Sequence, residues 1–203
     1  MASTVVDGYR LPISLGGHPA IDFCNTRARW ALDDPREYLV DYPHLVMWTR
    51  EAGLVSRATT RRMLALASRD PAAADAIGGA AIDFRTALYD VLVGPASAAA
   101  WRHVSAAASA ATAATVLRPG SRSAGQPAGW ELPEDVGAVL PLLAVIRSAT
   151  ELLTSPLGSA VGACPMPDCG WAFANPSGRR TWCSMSLCGN RTKVRRYAAR
   201  HRG

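Results

Sequence analysis

The chain has 203 residues, 49% of them hydrophobic, and a formal net charge of +6, which allows one core plus a small appendage and excludes a wholly disordered chain. Its longest apolar stretch, residues 136–146, spans 11 residues and contains Pro141, so it is too short to cross a bilayer and no membrane partner is expected. The first ten residues lack a basic segment followed by an apolar run, so no secretory leader is expected. The setting is expected to be cytoplasmic, where paired cysteines more often hold metal than form disulfides.

Residues 1–10 read as a loose arm. Leu11 to Gly17 is a short β-like piece ended by a glycine pair, and His18 to Arg27 reads as a short helix with Pro19 in its first turn. Ile21, Cys24 and Ala28 share a face there, which makes Cys24 a small core residue. Asp33-Asp34-Pro35 is a turn. Asp41 caps a helix carrying Leu45, Trp48 and Ala52 and stopped by Gly53. A second amphipathic helix covers 57–68, with Met63 inward. Asp70-Pro71 opens a longer one to about Val93, with Ile77, Ala81, Phe84, Leu88 and Leu92 as its stripe. The Ala-rich run 96–114 is a helix, 115–120 and 129–132 form a hairpin, and 136–153 is the last helix of the body, with acidic residues at its start.

Residues 155–158 read as a hinge into a distinct tail, dividing the chain into 1–157 and 158–203. Four of the five cysteines, Cys164, Cys169, Cys183 and Cys188, fall within 25 residues as two C-x4-C pairs. Four thiolates in two short-range pairs can enclose one Zn2+ tetrahedrally and leave no open position, so the metal is structural. The order of elements, a knuckle, a hairpin through Gly170 to Phe173, then a helix starting near Cys188, is that of a treble-clef-like module. The fold class is therefore mainly α (α+β), a helical body with a small β-hairpin followed by a zinc module.

Charge is uneven. Residues 179–203 hold Arg179, Arg180, Arg191, Lys193, Arg195, Arg196, Arg200 and Arg202 and no acidic residue, a charge of +8 against a total of +6, which leaves −2 for everything else. That footprint suits a polyanion, and these eight residues are the candidate DNA contacts. Val194, Tyr197, Ala198 and His201 are spaced to dock the same helix on the module's core. In the body, no catalytic spacing of His, Ser or Gly emerges, so an enzyme is not expected. Asp22, Asn25, Thr26 and Arg27 gather polar groups beside Gly16-Gly17 and are candidates to line a ligand pocket.

The run Trp182-Cys-Ser-Met-Ser-Leu-Cys-Gly-Asn-Arg191, with Cys164, Cys169, Gly170, Trp171, Phe173, Arg180 and Lys193, resembles the CGNR zinc-finger family. Residues 17–27, Gly-His-Pro-Ala-Ile-Asp-Phe-Cys-Asn-Thr-Arg, look like the opening of the ABATE domain that usually precedes it. Asn175 departs from the pattern, where relatives often carry Asp. The resemblance implies a bacterial, stress-linked transcription regulator, with Cys164, Cys169, Cys183 and Cys188 as zinc ligands and a DNA-binding tail. The body is then expected to sense a small-molecule effector or to form a homodimer. Two rivals stand beside this reading. One is a protein–protein adaptor whose zinc is only a staple. The other is an RNA-binding module in which Trp171, Phe173 and Trp182 stack on bases.

Overall fold

The computed structural model describes residues 2–121 and 123–201, with backbone only at residues 196 and 198–200. Two short strands, β1 (Ser3–Val6) and β2 (Tyr9–Pro12), pair antiparallel, so the expected loose arm is a hairpin. Its turn is Asp7-Gly8, with φ of 49° and 88°. A two-residue turn with both φ positive matches the twist of the strands, and Asp-Gly is a favoured pair for it.

Helix α1 (Pro19–Cys24) follows, capped by the His18 ring, and every residue from Ala20 to Cys24 is buried. After a two-residue strand pair, β3 (Arg27–Ala28) with β4 (Arg36–Glu37), the helices form as their punctuation directs. Asp41 accepts from His44 N at the start of α2 (Tyr42–Glu51), Ser56 from Thr59 N at α3 (Arg57–Arg69), and Asp70 from Ala73 N at α4 (Pro71–Val93). Each cap satisfies an amide that has no partner within its helix. Helix α5 (Ala98–Ala113) lies along α4, and the expected hairpin forms from β5 (Val116–Arg118) and β6 (Gly129–Glu131).

The centre of the body is α6 (Leu140–Leu153), ten of whose residues are buried, packed against α1, α2 and α5. Its approach differs from the single helix expected over 136–153. Residues Glu134–Val139 form a 3-10 turn broken at Gly137, where φ is 80°. The whole segment Glu134–Leu153 has the length and hydropathy to cross a membrane, but the break and the burial make it a core helix. No other described helix meets that test.

The supposed hinge is a 3-10 turn, Pro156–Ser159, packed on α6. Strands β7 (Val161–Ala163) and β8 (Ala172–Ala174) then pair antiparallel, and Cys164 N continues their ladder to Trp171 O. The first cysteine pair therefore sits at the tip of the hairpin, not before it as expected. A π-turn over Met185–Gly189 contains Cys188 and runs into α7 (Asn190–Arg200). The chain is thus mainly helical with small hairpins, and ends in a four-cysteine module.

Candidate metal centre and its attachment to the body

Three local structures converge on the metal centre. The knuckle at the hairpin tip brings Cys164 and Cys169, the loop after residue 180 brings Cys183, and the π-turn brings Cys188. All four Sγ atoms lie within 4.8 Å of one another and all four residues are buried. Cys183 Sγ is 3.5 Å from both Cys169 Sγ and Cys188 Sγ. A tetrahedron with Zn–S bonds of ~2.3 Å has edges of about 3.8 Å, so the donor set fits one zinc ion. Charge points the same way. The Cys164 thiol is held well below its ordinary value by hydrogen bonds from Cys169 and Cys183. The thiols of Cys169 and Cys183 are held up by their hydrogen bonds to Cys164 together with burial, and that of Cys188 mainly by burial. Burial makes negative charge on these sulfurs costly, and a dication offsets that cost. Bound zinc supplies a cross-link between hairpin and helix, and with four thiolates it keeps no position for substrate.

Trp171, Phe173 and the four cysteines share a small core with Ala28 and Tyr38 of the body. The attachment is polar and specific. Asn25, with no exposed surface, uses its amide like a length of strand: Nδ2 donates to Ala172 O at 3.0 Å and Oδ1 accepts from Ala172 N at 2.8 Å. Trp171 Nε1 donates to Arg27 O at 3.1 Å, and Arg29 N to Cys169 O at 2.9 Å. Tyr89 of α4 donates its hydroxyl to Gly170 O at 2.6 Å and stacks on Trp30, ring centroids 3.8 Å apart. Asp22 accepts from Leu15 N and Gly16 N at 2.8 and 2.7 Å. The carbonyl of Gly16 in turn accepts from Ala174 N at 2.7 Å.

These contacts correct the expectation of a ligand pocket at Asp22, Asn25, Thr26 and Arg27. Asn25 holds the zinc module. Thr26 is fully buried, donates to Phe23 O at 2.6 Å and accepts from Arg85 at 3.0 Å. Arg27 lies over the Trp30 ring at 4.7 Å. Asp22 alone borders a surface depression, with His18 and Glu51. Asp22 and Asn25 thus satisfy backbone groups of other segments of the chain.

Gly170 is a second point of contact. Its φ is +69°, and a Cβ there would stand 2.8 Å from Trp30 Cβ. Gly170→Ala is expected to lower stability by about 2–4 kcal/mol, from the left-handed backbone and the overpacking against Trp30. The midpoint of urea unfolding, at unchanged slope, measures it.

The candidate DNA contacts divide. Arg179, Lys193 and Arg195 are exposed. Arg180 turns inward, with its guanidinium 4.5 Å from the Phe173 ring centroid. It donates to Trp182 O at 3.1 Å, to Leu15 O at 2.8 Å and to Cys183 O, so it belongs to the module's framework. Arg191 pairs with Asp168 of the first knuckle, and Arg195 approaches the same carboxylate at 3.8 Å. The one sequence signal for Asp168 is that it is the acidic residue nearest the basic tail. Arg202 lies outside the described residues, as do the side chains of Arg196 and Arg200. Helix α7 does not dock as its spacing suggested. Val194 and Tyr197 are 67% and 66% exposed, and His201, also exposed, stacks on Tyr197. The side chain of Ala198 lies outside the described residues. Trp171 and Phe173, candidates for stacking on RNA, are 0% and 1% exposed.

A helical body carrying a closed four-thiolate site defines a zinc-finger protein with a structural metal. The family model for ABATE, described as "Putative stress-induced transcription regulator", matches residues 17–156, and that for the CGNR zinc finger matches 161–201. The chain belongs to the ABATE family and ends in a CGNR zinc finger. No curated protein matches it.

Proposed function

We propose that the protein is a DNA-binding transcription regulator of the cytoplasm, a binding protein and not an enzyme. On this reading zinc fixes α7 at the edge of the body and that helix contacts duplex DNA. The observation that carries the reading is the concentration of basic residues after position 178, with Lys193 and Arg195 exposed on a helix that stands off the core. Phosphates are the natural counter-charge for such a face, and the description of the ABATE family supports the assignment. Arg191 keeps the helix in place through Asp168, and Arg180 keeps the loop that carries Cys183.

Fluorescence anisotropy with a labelled duplex, titrated across a salt series, tests this. Engaging about four phosphates gives a log–log salt slope of about −3.6. The double variant Lys193→Glu, Arg195→Glu is expected to weaken binding at least tenfold and flatten the slope. Zinc-loaded protein that fails to bind duplex at low salt would defeat the reading. The adaptor reading has one observation of its own, the exposed Val194, Tyr197 and Met185 around the tail helix. Retention of a protein partner after nuclease treatment, by a zinc-loaded protein that does not bind duplex, would favour it. An RNA-stacking surface loses two of its three aromatics to the core.

A further inference from the structure

We infer that the body holds a binding site for a small organic cation, an ammonium group on an apolar or aromatic frame, between the loop at residues 53–56, β6 and α6. The site lies apart from the zinc module and does not depend on the DNA-binding reading. A cavity of about 400 Å3 opens there, within the ~300–1,000 Å3 usual for small-molecule sites. Leu54, Leu140 and Ala144 give it an apolar wall.

Ser148 of α6 lines the cavity and is only 5% exposed. Two neighbours on α6 show what a helical hydroxyl ordinarily does. Thr150 donates to Ile146 O at 2.9 Å, and Thr154, at the helix end, to Thr150 O at 2.8 Å. The Ser148 hydroxyl has no such partner among the described residues, and with its residue otherwise buried it is left to whatever occupies the cavity. Buried hydroxyls are normally bonded, and a ligand entering here would meet this one.

The rim selects charge. Glu131, Glu134 and Glu151 border the cavity, against the single cation Arg147. Glu134 is already held by Thr59 at 2.7 Å and Arg62 at 3.1 Å. Glu131 has no ion-pair partner among the described residues, and Glu151 meets Arg147 at 3.2 Å in a pair that is 61% and 36% exposed. An exposed pair of this kind is weak enough to exchange partners. Arg147 and Glu151 also border a second cavity of about 260 Å3, whose wall includes Trp130. Glu151 thus borders the apolar wall of the first cavity and Trp130 in the second, and a carboxylate beside apolar and aromatic side chains holds a cation on a hydrophobic frame, by ion pairing and by cation–π attraction.

Isothermal titration of the full-length zinc-loaded protein with phenethylammonium, and separately with 3-phenylpropionate, tests the site. The two probes share a frame and differ in the sign of their charge. Saturable binding of phenethylammonium is expected, at least tenfold tighter than any binding of 3-phenylpropionate. Glu151→Gln, at an exposed position, is expected to weaken it about tenfold, and Ser148→Leu, which fills the cavity, to abolish it. Equal binding of both probes, absence of saturable heat with phenethylammonium, or unchanged affinity in Glu151→Gln overturns the proposal. Should Ser148→Leu fail to fold, Glu151→Gln and the charge comparison decide it alone.

Discussion

Removing zinc is expected to unfold the body together with the tail, in one transition. A structural zinc site contributes on the order of 10 kcal/mol at neutral pH, comparable to the whole stability of a domain this size. In a chain whose finger hung from a hinge, that loss would stop at residue 158. Here the cysteine core packs on Ala28 and Tyr38, and Asn25 fills both hydrogen-bonding positions of Ala172. If the hairpin melts, Asn25 loses both partners and the indole of Trp171 leaves a wall of the body. Chelation, or Cys183→Ser, is accordingly expected to lower the melting temperature of helical circular dichroism by more than 10 °C. Acid acts in the same direction, because the ligands bind as thiolates and protons compete with the metal.

The second large effect is expected at the pair Arg85 and Glu37, and it is asymmetric. Arg85 comes from the middle of α4, has no exposed surface, and forms two hydrogen bonds of 2.6 Å to the Glu37 carboxylate. The Glu37 side chain is 33% exposed. Glu37→Gln leaves a guanidinium buried with no counter-charge and is expected to cost about 3–5 kcal/mol. Arg85→Met, of similar bulk, leaves a carboxylate that still accepts from Tyr38 N at 2.9 Å and Leu39 N at 2.8 Å and is part exposed to water, and is expected to cost clearly less. The double variant is expected to be more stable than Glu37→Gln alone, since it removes the uncompensated charge. Urea unfolding of the three variants measures the order. A larger loss in Arg85→Met than in Glu37→Gln would reverse the account of this pair.

Local signals carried the sequence reading far. Asp41 and Asp70 each bond an amide three residues on, so short-range chemistry was enough to place the starts of α2 and α4. The stripe from Ile77 to Leu92 follows from helical period alone. The four cysteines were legible for the same reason, since C-x4-C is a local pattern with a metal-binding geometry. What the sequence concealed is long-range. Asn25 and Ala172 are 147 positions apart, and nothing around Asn25 separates a ligand-binding amide from one that completes a strand. Arg85 sits in a helix next to Phe84 with no local mark of burial, and its partner lies 48 positions away. Helix α7 misled in the opposite direction. The 3 and 4 spacing of Val194, Tyr197, Ala198 and His201 describes a face that could dock, but the module's core is already closed by Trp171, Phe173 and the cysteines, which leaves Val194 and Tyr197 in solvent.

The claim that zinc module and body are one cooperative unit is tested most directly by amide hydrogen exchange, read by mass spectrometry, on zinc-loaded and chelated protein. The account predicts that chelation strips protection from peptides covering α1 and β3 as well as from those covering residues 161–188, with the same concentration dependence on chelator. Loss of protection confined to the tail, with α1 still protected once zinc is gone, would contradict it.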